Sequence, residues 1–265
     1  MLTPTAASDE KSGQHYPVHG RTLTAVSRRR IITASMALAG AAFAGGMVPA
    51  FGQTPALRAT AEDALGPFYP LTIPADVDFD LTVIAGKPGR ALGQLLYVDG
   101  RVLNTRGEPV ANAVIEIWQA NAAGRYAHPG DDSKAPLDPH FQGYAKIRTG
   151  ADGSYRFKTI KPAPYDGRTA HIHFDVQGKN TRVVTQMYFE GEKRNETDAL
   201  LKRRSPESRK TLISRFGTPS GQQERDALVA LWDIVLASGW SDRGIFSITA
   251  RRGWHLMMAK PQLPT

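Results

Sequence analysis

Beyond the first fifty or so residues, apolar positions recur in short unbroken runs or alternate with polar ones, and no helical period persists beyond about a dozen residues. These patterns predict strands over Leu95–Val98 continuing to Leu103, Ala113–Trp118, Tyr144–Thr149, Tyr155–Thr159, Ala170–Val176, Val183–Phe189, Ala230–Leu236 and Gly244–Thr249. Turn-forming clusters separate them, among them Asn104-Thr105-Arg106-Gly107-Glu108-Pro109, Gly150-Ala151-Asp152-Gly153 and Lys161-Pro162-Ala163-Pro164. Many short strands with regular turn signals imply an all-β, antiparallel sandwich with little helix. The one helix candidate, Gln222–Val229, is short. Two long polar connections, Asn121–Phe141 and Glu190–Gln222, stand out. Connections of that length in a compact sandwich carry function or move, and Tyr126 gives the first a functional reading.

The amino-terminal pattern is of another kind. Ser27-Arg28-Arg29-Arg30-Ile31-Ile32 precedes a weakly apolar run, Ile31–Ala50, that ends in Val48-Pro49-Ala50. This resembles a twin-arginine export signal, so residues 1–53 read as signal and tether and 54–265 as the globular domain, destined for the periplasm or secretion. The run approaches membrane-spanning length, but its six Ala and three Gly between Ala34 and Gly46 suit a cleaved signal better than an anchor. No stable membrane association is expected once it is removed.

Cysteine is absent, which excludes thiolate catalysis, cysteine-ligated zinc, iron–sulfur clusters and disulfides, and leaves nitrogen and oxygen donors for any metal. The net charge of +8 invites a nucleic-acid reading, yet residues 1–50 supply +3 of it. The main basic cluster, Lys202-Arg203-Arg204 to Arg209-Lys210, lies in a polar stretch without interleaved aromatics. It reads as a solvated loop, and nucleic acid is not an expected partner.

The candidate chemistry centres on His171-Ile172-His173, inside the strand pattern Ala170–Val176. Side chains alternate along a strand, so both imidazoles face one side. With Tyr126 and Tyr165 they could supply two nitrogens and two phenolate oxygens to one metal ion, a set suited to ferric iron. Tyrosine ligates poorly when neutral, but a highly charged ion stabilises its phenolate. His128, His140 and His255 are also ligand candidates, and spacing alone leaves zinc and copper open. Trp118 reads as core, and Glu116 as a solvent-facing or hydrogen-bonded strand residue.

A set of motifs in fixed order adds to this: Leu65-Gly66-Pro67-Phe68-Tyr69-Pro70, Trp118-Gln119-Ala120-Asn121-Ala122-Ala123-Gly124-Arg125-Tyr126, Thr159-Ile160-Lys161-Pro162-Ala163-Pro164-Tyr165, Ala170-His171-Ile172-His173-Phe174 and Thr185-Gln186-Met187-Tyr188-Phe189-Glu190-Gly191. The chain resembles the intradiol ring-cleavage dioxygenases, the protocatechuate 3,4-dioxygenase branch in particular, over nearly everything after the export segment. The resemblance implies a prealbumin-like β-sandwich holding one non-haem Fe(3+) on Tyr126, Tyr165, His171 and His173, with Tyr165 leaving the metal as substrate binds. It implies catalytic roles for Arg168 and Gln186 beside Tyr165. The expected substrates are a catechol-type aromatic diol, such as protocatechuate or catechol, and dioxygen, and the expected product is a cis,cis-muconate; hydroxyquinol is the alternative. Arg168, always charged, would stabilise the anionic charge that develops on the ring.

The short connection from Tyr165 to His171, without the aromatic residue often found after that tyrosine, departs from the protocatechuate pattern. No counterpart of the helical dimerisation segment of catechol and hydroxyquinol dioxygenases precedes Leu65. A homo-oligomer or a related partner subunit both fit this chain. Two rivals from other classes are a non-catalytic sandwich module binding carbohydrate or an aromatic ligand, which would not need all six residues, and a zinc hydrolase, which lacks an evident carboxylate beside the histidines.

Overall fold

The computed structural model describes residues 55–237. The export signal with its boundary near residue 53, the Gly244–Thr249 strand and His255 lie outside the described residues.

Among the described residues nine strands follow one another: β1 (Leu95–Asn104), β2 (Val114–Trp118), β3 (Tyr144–Arg148), β4 (Ser154–Ile160), β5 (His171–Gln177), β6 (Arg182–Phe189), β7 (Ile213–Gly217), β8 (Leu228–Leu231) and β9 (Ile234–Leu236). They pair in the order β3-β2-β5-β6-β7-β8-β1-β4, with β9 on β1. The sheet is folded over, so that β5 faces β4. Phe174 on β5 meets Phe157 on β4 with ring centroids 5.9 Å apart and packs on Trp232 at 5.0 Å. Ile172, Phe174 and Val176 of β5, Ile115 and Ile117 of β2, and Val98 and Phe157 from the opposite layer share one buried core. The all-β sandwich expected from the patterning is therefore the observed architecture.

Several local expectations differ. The strand expected over Ala230–Leu236 is two strands, because Trp232 N–H turns to the Asp99 carbonyl and the Asp233 carboxylate takes the Arg101 N–H in place of a backbone carbonyl. Gln222–Val229 forms no helix. Glu224 there is held by Lys158 at 2.7 Å and by the Tyr97 hydroxyl, and the chain enters β8 directly. Pairing is not purely antiparallel either: β8 and β9 run parallel to β1, and β7 runs parallel to the end of β6. Glu190–Gln222 is built rather than open, with two 3₁₀ turns, a short helix α1 (Pro206–Lys210) capped by Ser205, and β7. Within the basic cluster, Lys202, Arg203 and Lys210 are exposed, while Arg204 reaches Asp63 at 3.2 Å and Arg209 reaches Glu196 at 3.0 Å.

Because Phe174 is fully buried at the meeting of both layers, Phe174→Ala should cost about 3–5 kcal/mol. Urea unfolding checks this, and a loss below about 1 kcal/mol would mean that the layers are not held together there.

Candidate metal centre

Strand β5 is buried on both faces, and its alternation divides it. Ile172, Phe174 and Val176 enter the core, while His171, His173 and Asp175 take the other face. Cross-strand register then decides their neighbours. His173 lies opposite Trp118 of β2 and Gln186 of β6, and His171 lies opposite Tyr188. The two imidazoles sit with ring centroids 4.9 Å apart. Trp118, read from sequence as core, is buried and also stacks flat on the His173 ring, 5.0 Å away with 10° between planes. Glu116, two residues earlier, is buried rather than solvent-facing; it accepts from the Tyr69 hydroxyl at 2.5 Å and pairs with Lys146 at 3.1 Å.

The segment before β1 closes this polar face. Asp63 N–H bonds the Val184 carbonyl, and the Gln186 amide donates to the Ala64 carbonyl at 2.7 Å. This lays Gly66 directly on His173. Gly66 has φ +76°, and a Cβ there would come within 2.8 Å of His173 Cε1, so only glycine fits without displacing the imidazole.

The tyrosines arrive from two loops. Asn121 organises the first, its side-chain oxygen accepting from Ala123 and Arg125 N–H and its amide donating to the Pro136 carbonyl. Tyr126 follows, with its N–H held by Asp131 at 2.7 Å. Tyr165 opens a two-residue turn, Asp166-Gly167, both at positive φ, closed by the Arg168 N–H to the Tyr165 carbonyl at 2.7 Å. That turn begins the short connection from Tyr165 to His171 noted in the sequence. It brings the Tyr165 hydroxyl 3.2 Å from the Tyr126 hydroxyl and 3.3 Å from His171 Nε2. His173 closes the group, with its ring centroid 6.2 Å from that of Tyr126. Tyr126, His171 and His173 are buried and Tyr165 is only partly so, which makes Tyr165 the most accessible of the four.

The electrostatics favour neutral forms. Burial, then the Arg168 charge, push His171 down to about 4, and burial, His171 and Arg168 push His173 well below the usual range. Neutral imidazole is the ligating form. The His171 Nδ1–H donates to the Thr169 carbonyl at 2.7 Å, which directs the Nε2 lone pair at the Tyr165 hydroxyl. Burial raises Tyr126 well above its usual range and also raises Tyr165, the latter eased by its bond to Tyr126 and by Arg168. Two neutral imidazoles and two phenols that need a strong positive charge to ionise form a donor set that fits a hard trivalent cation. His128 and His140 stand apart: His128 packs on Phe68 and accepts from Gly130 N–H, and His140 packs against Gly89. Among the described residues no group of three His, Cys, Asp or Glu could hold a metal ion, so the imidazole pair has no carboxylate companion of the zinc-hydrolase kind.

Beside the histidines, Arg168 and Gln186 meet directly. Arg168 Nη2 donates to Gln186 Oε1 at 2.7 Å and to the Tyr188 hydroxyl at 3.1 Å, while Nε donates to Asp198 at 2.8 Å. The Tyr188 hydroxyl bonds Asp63 at 2.9 Å. All six residues singled out from the sequence thus come together. Sequence reasoning missed Trp118, Tyr188, Asp63 and Asp198 as parts of this cluster. For Trp118 and Tyr188 the signal was present, since both share the outward parity of their strands with the site; for the two aspartates, in irregular segments, none was. A cleft of about 350 Å3 opens beside Tyr126, walled by Phe68, Trp118, His128 and Tyr144. A larger open groove of about 820 Å3, lined by Arg101, Arg148, Arg156 and Arg215, shares no residue with the centre.

Comparison with known proteins gives the family. A family model described as Dioxygenase matches residues 65–238. The protocatechuate 3,4-dioxygenase beta chain of Burkholderia cepacia is 42% identical over 189 residues, covering 68% of this chain and 80% of that protein. A hydroxyquinol 1,2-dioxygenase of Corynebacterium glutamicum is 31% identical over 211 residues, covering 69% of this chain and 65% of the relative. Among solved structures, the dioxygenase domain of a dioxygenase carbohydrate-binding protein fusion from Streptomyces sp. SirexAA-E aligns with TM-score 0.52 and 30% identity, over 68% of this chain and 99% of that one. The chain belongs to the intradiol ring-cleavage dioxygenases, a family of non-haem-iron enzymes that cleave aromatic rings.

Proposed function

We propose that this chain cleaves a catechol-type diol, protocatechuate or a relative, between its two hydroxyl-bearing carbons, consuming dioxygen and yielding a cis,cis-muconate. The observation that carries this reading is the convergence of the Tyr126 and Tyr165 hydroxyls on His171 Nε2, with His173 alongside and Arg168 at the rim. In this reading Tyr126, Tyr165, His171 and His173 hold one ferric ion. When bound, that ion supplies Lewis acidity and a template for the diol.

The residues of the chain do the rest. Tyr165, the most accessible of the four and a phenolate only while it holds the ion, is the group that would swing aside and take a proton from a substrate hydroxyl at its Oη. Tyr126, His171 and His173, each at most 3% exposed, stay fixed. Trp118 stacked on His173 and Gly66 packed across its edge exclude water from that ligand. Arg168 offers a permanent positive charge to the anion that develops on the ring, and Gln186 holds one arm of its guanidinium.

The beta-chain likeness, 42% identical over 80% of that relative, supports a protocatechuate-type diol; the less identical hydroxyquinol match, at 31%, makes hydroxyquinol the second candidate. The same likeness supports assembly, either with a related subunit or with further copies of this chain. Residues 1–53 are proposed to direct export to the periplasm, on the strength of Arg28-Arg29-Arg30 and the weakly apolar run behind them.

Incubation of the iron-loaded protein with protocatechuate, catechol and hydroxyquinol in turn should consume one dioxygen per diol and give a ring-opened diacid. A ring-opened semialdehyde, or no turnover of any of the three, would refute the proposed reaction. His173→Ala should lower bound iron at least about tenfold, read by metal analysis of folded protein; full iron occupancy would remove His173 from the ligand set. Tyr126→Phe and Tyr165→Phe should each shift or weaken the visible tyrosinate-to-iron band, and spectra left unchanged by both would dismiss the phenolate ligands.

A further inference from the structure

The segment after β6 delivers a fully buried carboxylate to the rim of the centre. Asp198 is 0% exposed and its two oxygens meet four donors. Oδ1 accepts from the Leu200 and Leu201 N–H groups, both at 3.0 Å, which ties down the backbone leading into the 3₁₀ turn Leu201–Arg203. Oδ2 accepts from Arg168 Nε at 2.8 Å and from Thr169 N–H at 2.9 Å. Burial alone would push this carboxyl up, but the Leu201 and Thr169 N–H groups and the Arg168 guanidinium more than offset it, so the group stays ionised. Asn195 reinforces the contact, accepting from the Thr169 hydroxyl at 3.0 Å and donating to the Phe189 carbonyl at 2.8 Å.

The guanidinium is thus gripped at two corners. Nε is on Asp198, and Nη2 is on Gln186 and Tyr188. Planar geometry means that two such anchors fix the orientation of the whole group. None of these bonds uses Nη1, which leaves donors for a further partner. The Arg168 backbone, which follows the tight Asp166-Gly167 turn, is fixed as well.

We infer that Asp198 is the positioning residue for Arg168, holding the guanidinium at the angle from which it meets the reacting ring; this rests on the reading that Arg168 acts in ring cleavage. Asp198 itself does not touch the ring. Its two oxygens separate the roles: one organises the loop, the other aims the arginine.

Asp198→Asn tests the division. The amide oxygen can keep the Leu200 and Leu201 bonds, while the amide nitrogen would set a donor against Arg168 Nε–H and Thr169 N–H. The measurement is a double-mutant cycle of Asp198→Asn with Arg168→Ala, reading kcat per bound iron and KM for the diol that the wild type turns over. Asp198→Asn should lower kcat about 10- to 100-fold with a smaller change in KM. On the Arg168→Ala background the same change should cost less than about twofold, because nothing remains to position. Full kcat in Asp198→Asn beside a large loss in Arg168→Ala would overturn the positioning role alone. Full kcat in Arg168→Ala would overturn the reading on which it rests. Losses that multiply in the double variant would show that Asp198 acts through the fold. Should Asp198→Asn fail to fold, Asp198→Glu, which keeps the charge one methylene away, enters the same cycle and is judged by the same outcomes.

Discussion

The register of β5 between β2 and β6 is the constraint on which everything else depends. One face of this strand supplies Ile172, Phe174 and Val176 to the core, and strict alternation then commits His171, His173 and Asp175 to the other. A slip of one residue would bury the imidazoles in hydrocarbon and turn Phe174 toward the tyrosines. The core enforces the register, so the energy that holds the sandwich together also aims the histidines. Pairing extends this to the neighbours: Trp118 and Gln186 flank His173, and Tyr188 flanks His171, because they occupy the matching positions on adjoining strands.

A polar face buried this deeply is costly unless its groups bond one another. Here most of them do so, in two sets, while Trp118 Nε1 and His173 Nδ1 are buried without a hydrogen-bond partner among the described residues. Arg168, Gln186, Tyr188, Asp63 and Asp198 form a closed network with both carboxylates answered by arginine, Asp198 by Arg168 and Asp63 by Arg204. Tyr126, Tyr165 and His171 form the second, less completely satisfied set, whose donors face one another across little more than 3 Å. The first set is rigid and structural in its bonding; the second is the one left with lone pairs to offer a cation. In the proposed reading this contrast separates the group that orients from the group that binds.

The parts of the molecule legible in the sequence were those governed by periodicity. Strands β1 to β6 and the outward parity of the His pair follow from alternation and turn chemistry, while the meeting of Tyr126 and Tyr165 with that pair is what the family resemblance implied. Features decided by tertiary contact were not legible. Asp233 breaks one apolar run into β8 and β9 by bonding Arg101 N–H, and Glu224 is drawn to Lys158 rather than into a helix. Trp118 looked like core because a large aromatic at the end of an apolar strand generally is; that it also covers His173 depends on register across to β5. Asp198 lies in a polar connection, where a carboxylate carries no signal of burial until the arginine it meets, thirty residues earlier, is placed against it.

The measurement closest to the central claim is a visible absorption spectrum of the purified protein with metal analysis, taken before and after anaerobic addition of protocatechuate. A ferric centre on two tyrosinates and two histidines predicts a burgundy protein with about one iron per chain, whose band shifts when the diol displaces Tyr165. A protein that stays colourless after reconstitution with iron, or a coloured one whose band ignores the diol, would contradict it.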